Sequence, residues 1–209
     1  MQTVSTTRME LLAKKAQIAL AMQGRELLEE KRTALMRELM RVADRVMASS
    51  DVLQQSAAEA RRALARAEAV AGTEAVRSAA MATRGELAID VQSANVMGVS
   101  VPVIEQKRVA RSALGRGYSI TDTSVTIDEA AAAFEAEVDS LIQLAESELR
   151  LVRLAAEIQR TSRRVNALEH VFIPRLVAER DYIQMALDER ERADRFRLKR
   201  VTQARQHKK

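Results

Sequence analysis

Cysteine and tryptophan are absent from the 209 residues. Without thiols there is no disulfide framework, no thiolate metal site and no cysteine nucleophile. This is compatible with the cytoplasm. Aromatic rings are nearly missing too, limited to Tyr118, Phe134, Phe172, Tyr182 and Phe196. A compact core of this size ordinarily draws on more of them. Two prolines and six glycines leave few positions that interrupt a helix. No stretch approaches the roughly 18 apolar residues of a membrane span. The opening MQTVSTTRMELLAKK lacks the apolar centre of a signal peptide. These absences predict a chain that is soluble or is held at a membrane only through partners.

What is present is Ala, Leu, Val and Met among 30% charged residues, a composition that reads as long helix or coiled coil. The net charge of +5 is uneven. From Arg190 to Lys209 nine Lys or Arg face Glu191 and Asp194, so the rest of the chain is slightly acidic. The wealth of Arg and Ala over Lys hints at a GC-rich bacterial genome.

Periodicity divides the chain into three. Residues 1–71 form an N-terminal arm, in which Leu28, Leu35, Leu39, Val42, Val46 and Leu53 trace a seam with steps of seven, four, three, four and seven residues, the signature of a coiled coil. Such a helix is on the order of 90 Å long at ~1.5 Å per residue. Beside the seam run Met36, Met40 and Met47, which either widen the packed face or form an adaptable surface for another protein. Residues 72–127 hold five of the six glycines and one of the prolines, and read as a small α+β insert. Around its start, 69–83 is helical with a break at Gly72 and Thr73 as a candidate cap; within it, 87–91 and 99–103 are extended, Pro102 demands an edge strand, Gly115-Arg116-Gly117 is a turn, and 118–127 is a strand or strand pair. Residues 128–209 form a C-terminal arm that starts at an Asp128 N-cap. Its apolar line is Val138, Leu141, Ala145, Leu149 and Val152, then Ile158, Ser162, Val165, Glu169, Phe172, Leu176, Glu179, Ile183 and Ala186. Pro174 predicts a mild kink, because its ring clashes with the carbonyl of His170. The fold class is therefore mainly α: an antiparallel two-helix coiled coil of N- and C-terminal segments, with a hairpin-like α+β insert at the far end.

Catalytic chemistry finds no foothold. There is no phosphate-binding GxxxxGK[ST] loop. His170 and His207 lack ligand spacing, and a helix-surface role for His170 outweighs catalysis. The acidic Asp188, Glu189 and Glu191 alternate with arginines, as on a solvated face. No catalytic, cofactor-binding or metal-binding residue is assigned, and no cofactor is expected. The basic tail has the charge to meet nucleic acid, an anionic membrane or an acidic protein. Its single aromatic residue argues against the first, and its small apolar face against the second.

Several stretches resemble one family in order and spacing. TSRRVNALEHVFIPRL (161–176) is very similar to the signature T-x-R-R-V-N-A-L-E-x-x-x-I-P-R-L of the D subunit of the V-type and archaeal-type rotary ATPases. LLEEKRTALMREL (27–39), NVMGVSVPVIE (95–105), GYSITDTSVTIDEAAAAFE (117–135) and YIQMALDERERADRFRLKRV (182–201) agree as well, so the resemblance spans essentially the whole chain. His170 departs from a frequent Tyr, with little consequence for function. The resemblance implies a non-catalytic central-stalk rotor that couples H⁺ or Na⁺ translocation to ATP synthesis or hydrolysis. It implies contacts with the catalytic A and non-catalytic B subunits of a hexamer, with the small F subunit of the stalk, and with the cap of a membrane rotor ring. It implies a cytoplasmic place peripheral to the plasma membrane of a bacterium or archaeon, and no nucleic acid. On this reading Arg163, Arg164, Arg175, Arg180, Arg190 and Arg192 face the hexamer. The seam comprises Leu28, Leu35, Leu39, Val42, Val46, Leu53, Val165, Phe172, Leu176 and Ile183, and Val99, Val101, Val103, Tyr118 and Ile120 face the small stalk subunit or the cap. The competing reading is a generic coiled-coil scaffold whose basic tail binds nucleic acid or an acidic partner.

Overall fold

A computed structural model describes residues 5–83, 89–106, 109, 115–119 and 123–206. In chain order the elements are α1 (Arg8–Ala71), α2 (Thr73–Ala82), β1 (Ile89–Val96), β2 (Val99–Gln106), α3 (Val125–Ala167), a π-turn (Leu168–Phe172) and α4 (Ile173–Gln206). The fold is mainly α, with long helices pairing antiparallel in coiled-coil fashion and one small antiparallel hairpin.

The helix α1 is capped at its start, where the Thr7 hydroxyl accepts from the Glu10 N–H at 3.2 Å, the usual N-cap bond. It ends where Gly72 takes φ 84 while its N–H bonds the Glu68 carbonyl at 3.0 Å. A left-handed glycine past the last turn is the common helix stop. Between these ends, steps of three, four and seven run from Leu11 through Ile18, Ala21, Leu28, Leu35, Leu39, Val42, Val46, Leu53, Ala60 and Ala63 to Ala67. Each of these is buried or half-buried. The heptad pattern seen over 28–53 thus continues both ways, and towards Ala67 it changes from large to small side chains.

The chain divides into two compact units, Met1–Thr33 with Gln159–Lys209, and Ala34–Ile158. In the first, Ile18 and Ala21 pack on Ile173 and Leu176. Towards the termini from this core, the ion pairs Lys14–Glu179 at 2.8 Å and Arg8–Glu191 at 2.7 Å run in opposite chain directions. That is an antiparallel pair. In the π-turn the Ile173 N–H reaches back five residues to the Leu168 carbonyl. The next residue is Pro174, which has no N–H and whose ring would strike the carbonyl four residues back; a wide turn relieves that clash. The extra residue shifts the seam. Phe172, expected inside, is 49% exposed, and Ile173 is buried in its place. Thr161, not Ser162, is the buried residue a turn before Val165.

In the second unit Leu35 and Val42 of α1 meet Leu154 and Ile158 of α3, and the hairpin adds Val99 and Val101 to the same core. Full burial of each such aliphatic stabilises by about 1.5–3 kcal/mol. The line expected through Leu141, Leu149 and Val152 is exposed; Ile142 and Leu154 are buried instead. A slip of one or two residues moves an apolar line to a neighbouring helix face. A second core joins Ala63 and Ala67 of α1, Ala79 of α2, and Ile127 and Ala130 of α3.

The hairpin turns at Met97 (φ 52) and Gly98 (φ 81), two successive positive φ values that suit the twist of the strands. The Asn95 side chain accepts from the Gly98 N–H at 2.8 Å. Val96 pairs with Val99 and Ser93 with Pro102. Counting from the two-residue turn, hydrogen-bonded pairs alternate with non-bonded ones, so Pro102 falls where no ladder bond is lost.

The stretch 118–127, expected as a strand, is not one in its described part. Ser124 caps α3 instead: its carbonyl accepts from the Ile127 N–H at 2.9 Å, and its hydroxyl lies 2.9 Å from that of Thr126. The helix therefore starts at Val125, three residues before the expected Asp128 cap. Residues 87 and 88, expected as extended, and Ile120 lie outside the described residues.

Candidate interaction surfaces

Local chain geometry assembles one buried charged cluster. Gly117 takes φ 90, bending the segment before α3 so that Arg116 and Tyr118 reach the first turns of that helix. Arg116 donates from Nε to Glu135 Oε1 at 3.0 Å and from Nη2 to Oε2 at 3.1 Å. Its Nη1 donates to Asp128 Oδ1 at 3.0 Å, and the Tyr118 hydroxyl donates to the same oxygen at 2.7 Å. Bidentate geometry makes this a strong, directional contact. The Arg116 side chain is only 9% exposed, and its bond to Glu135, followed by that to Asp128, holds it firmly protonated. Burial, with the bond to Asp128, raises the Tyr118 phenol above its ordinary value. Beside the cluster lies an apolar cavity of about 380 Å³ lined by residues such as Val76, Ala79, Ile127 and Phe134. Sequence reasoning saw Asp128 as a cap and missed Arg116 and Glu135, whose partners are set by the bend.

A second cluster is centred on Glu38. Arg41 grips it with Nε and Nη2 at 2.9 and 2.7 Å, and Arg150 of α3 adds a bond at 2.9 Å. The bond from Arg41, aided by the charge of both arginines against the cost of burial, holds this carboxyl below the usual range. Lys14, followed by Arg175, does the same for Glu179.

The arginines expected to face a hexamer do not converge on one site. Arg163 and Arg164 are exposed and make no ion pair among the described residues. Arg175 pairs with Glu179 at 3.1 Å and Arg180 with Asp181 at 2.7 Å. Arg190 donates to the Thr6 hydroxyl at 2.6 Å, and Arg192 is exposed. Among the seam residues, Leu28, Leu39, Val46 and Leu53 are half-buried, while Leu35, Val42, Val165, Leu176 and Ile183 are buried.

The hairpin residues expected to face a partner need correction. Val99 and Val101 are buried in the core of their own unit, because the pleat turns alternate side chains inward. Val103 is half-buried, and Tyr118 is engaged with Asp128. The exposed apolar side chains of the hairpin are Ile89, Val91 and Met97. Met36, Met40 and Met47 are also exposed, so they do not widen a packed face within this chain.

No described helix is long and apolar enough to cross a membrane, and no group of three or more potential ligands gathers around a metal position among the described residues. Antiparallel helix pairs with exposed charges define the class as a coiled-coil protein. The family model for the D subunit of ATP synthase matches residues 10–203. The chain is 44% identical to the A-type ATP synthase D subunit of Methanobrevibacter smithii, covering 95% of this chain and 86% of the relative. It is 44% identical to that of Thermococcus gammatolerans, covering 95% and 92%, and 45% identical to that of Methanopyrus kandleri, covering 96% and 86%. The chain belongs to the family of ATP synthase D subunits. It is a structural, non-catalytic subunit of the stalk of an A/V-type ATP synthase and a partner within that complex.

Proposed function

We propose that this chain is the rotor of the central stalk and carries torque between a membrane rotor ring and the nucleotide-binding hexamer. Near-full-length similarity to the D subunits of A-type enzymes carries the reading. Physical support comes from α1, whose apolar line keeps a seven-residue repeat from Leu11 to Ala67, with polar residues such as Lys14, Arg25 and Ser49 at some of the intervening steps. Paired helices resist bending and twisting more than one helix does, because each buries its apolar stripe on the other. Their cross-section is not three-fold symmetric, so three catalytic interfaces around it would each meet a different face.

In this reading the segment carrying both termini enters the hexamer of A and B subunits, and the 72–127 module binds the small F subunit and the cap of the ring. The chain works on the cytoplasmic side, peripheral to the membrane. Arg163 and Arg164, exposed and unpaired, are the leading candidates for carboxylates on the hexamer. Exposed pairs of this kind add only ~0–1 kcal/mol of stability, yet they bias which rotary position is preferred.

The absence of Cys makes a clean test possible. Arg163→Cys, carrying a photocrosslinker, is assembled into the complex and illuminated. ATP hydrolysis is expected to stop once the chain is tied to the hexamer and to return when a cleavable linker is cut. Full turnover in the crosslinked complex refutes rotation.

A further inference from the structure

Methionine is among the residues most often buried, and its flexible thioether commonly fills gaps in cores. This chain uses it the other way. It has nine methionines, and the eight that fall among the described residues are all exposed, from 45% at Met36 to 77% at Met9. The buried apolar residues are Leu, Ile, Val and Ala alone, and there is no cysteine. Among the described residues every sulfur atom therefore lies at the surface, and none of the three cores depends on one. Met36, Met40 and Met47 form the densest group. Steps of four and seven put them on one face of α1, outside the packing around Leu35 and Val42. A thioether exposed to water is open to two-electron oxidants.

We propose that the surface methionines, with Met36, Met40 and Met47 as their densest group, are reversible sulfoxidation sites for peroxide-class oxidants. In the forward step the thioether sulfur attacks one peroxide oxygen. An S–O bond forms, the O–O bond breaks, and the second oxygen leaves as water or an alcohol after proton transfer. Sulfur loses two electrons and the peroxide gains them. Return takes a dithiol reductant acting through a sulfoxide reductase: sulfur regains its electron pair, the oxygen leaves as water, and the two thiols become a disulfide. Reversal requires an accessible sulfoxide, and exposure is what this fold supplies. Oxidation makes a flexible apolar side chain polar. That disrupts a core, but it costs little where the side chain already faces water. On the Met36 face three such changes turn an apolar line into a polar one and leave Leu35 and Val42 untouched. The chain takes up oxidant and keeps its fold.

The test treats the full-length chain with excess hydrogen peroxide, follows each methionine by peptide mass spectrometry, and follows the fold by helicity and melting temperature. Sulfoxide is expected at every described methionine, formed within roughly threefold of the rate for free methionine. The oxidised chain is expected to stay helical and to melt within a few degrees of the untreated one. A sulfoxide reductase with dithiothreitol should then restore the original masses. The triple variant Met36→Leu, Met40→Leu, Met47→Leu should take up three oxygen atoms fewer and melt like the wild type. Leu35→Met supplies the contrast. It puts a thioether at a fully buried position in a swap of similar volume, and that sulfur is expected to oxidise at least roughly tenfold more slowly than Met36. Slow oxidation at most of the surface methionines, loss of helicity or melting temperature in the oxidised wild type, an oxygen count unchanged in the triple variant, or sulfoxides that the reductase leaves in place each overturn the proposal. The isolated chain suffices for every arm, so the outcome is independent of whether the chain rotates.

Discussion

The unit formed by residues 34–158 packs the same two helices in two different ways. Around Leu35, Val42, Leu154 and Ile158 the core is large and aliphatic, and the hairpin adds Val99 and Val101. Around Ala63, Ala67 and Ala130 the side chains are mostly methyl groups, and α2 contributes Ala79. The first region gains its stability from buried area. The second has far less apolar area to bury and is accompanied by the Arg116, Asp128, Glu135 and Tyr118 cluster, which ties the segment before α3 to that helix. A continuous heptad line thus supports two kinds of adhesion, one nondirectional and one dependent on hydrogen-bond geometry.

Four substitutions test that contrast. The largest effect is expected from Leu154→Ala, which empties a fully buried position and should lower the unfolding free energy by about 3–4 kcal/mol, read from urea titration. Arg116→Ala should cost about 3 kcal/mol by removing the forked hydrogen bonds to Glu135 and the bond to Asp128. Arg116→Lys should recover only part of that, since an ammonium cannot copy the fork. Equal stability of Lys and Arg at this position would show that charge rather than geometry holds the cluster. Ala63→Leu, at a buried position away from the cavity, should destabilise by about 2 kcal/mol through overpacking. A neutral result would mean that the alanine core has slack.

The smallest effect concerns pH. The Glu38 carboxyl is lowered in the folded chain, chiefly by its bond from Arg41. Its contribution is therefore full above the ordinary carboxylate value and is lost as pH falls through the depressed one. Glu38→Gln should flatten part of the acid limb of stability and change little at neutral pH. An unaltered acid limb would place the acid sensitivity elsewhere.

What could be read from the sequence depended on side-chain size and on local order. The seam over 28–53 was legible because Leu and Val stand out against charged neighbours. Its continuation through Ala60, Ala63 and Ala67 was not, since alanine is common on every face of this chain. Pro174 announced a disturbance, but not that a π-turn would absorb it and move Phe172 outward. The Ser- and Thr-rich stretch before α3 resembled a strand because the same residue types serve as N-caps, and Ser124 takes the capping role. The Arg116 cluster escaped because its carboxylates lie 12 and 19 residues along, spacings no helical rule connects to a residue outside the helix. The Val99 and Val101 side chains were assigned to a partner surface because alternation alone does not say which face of a hairpin is covered.

The placement of Pro102 carries one more implication. A two-stranded sheet has two open margins, and each can recruit a stray strand from another molecule. Pro102 stands opposite Ser93 in a pair that needs no ladder bond, so its missing N–H is subtracted only from the outer margin of β2. The hairpin gives up none of its own pairing, and a foreign strand approaching β2 finds one acceptor fewer matched by a donor. That single imino acid thereby makes the outer margin of β2 a poorer template for a stray strand.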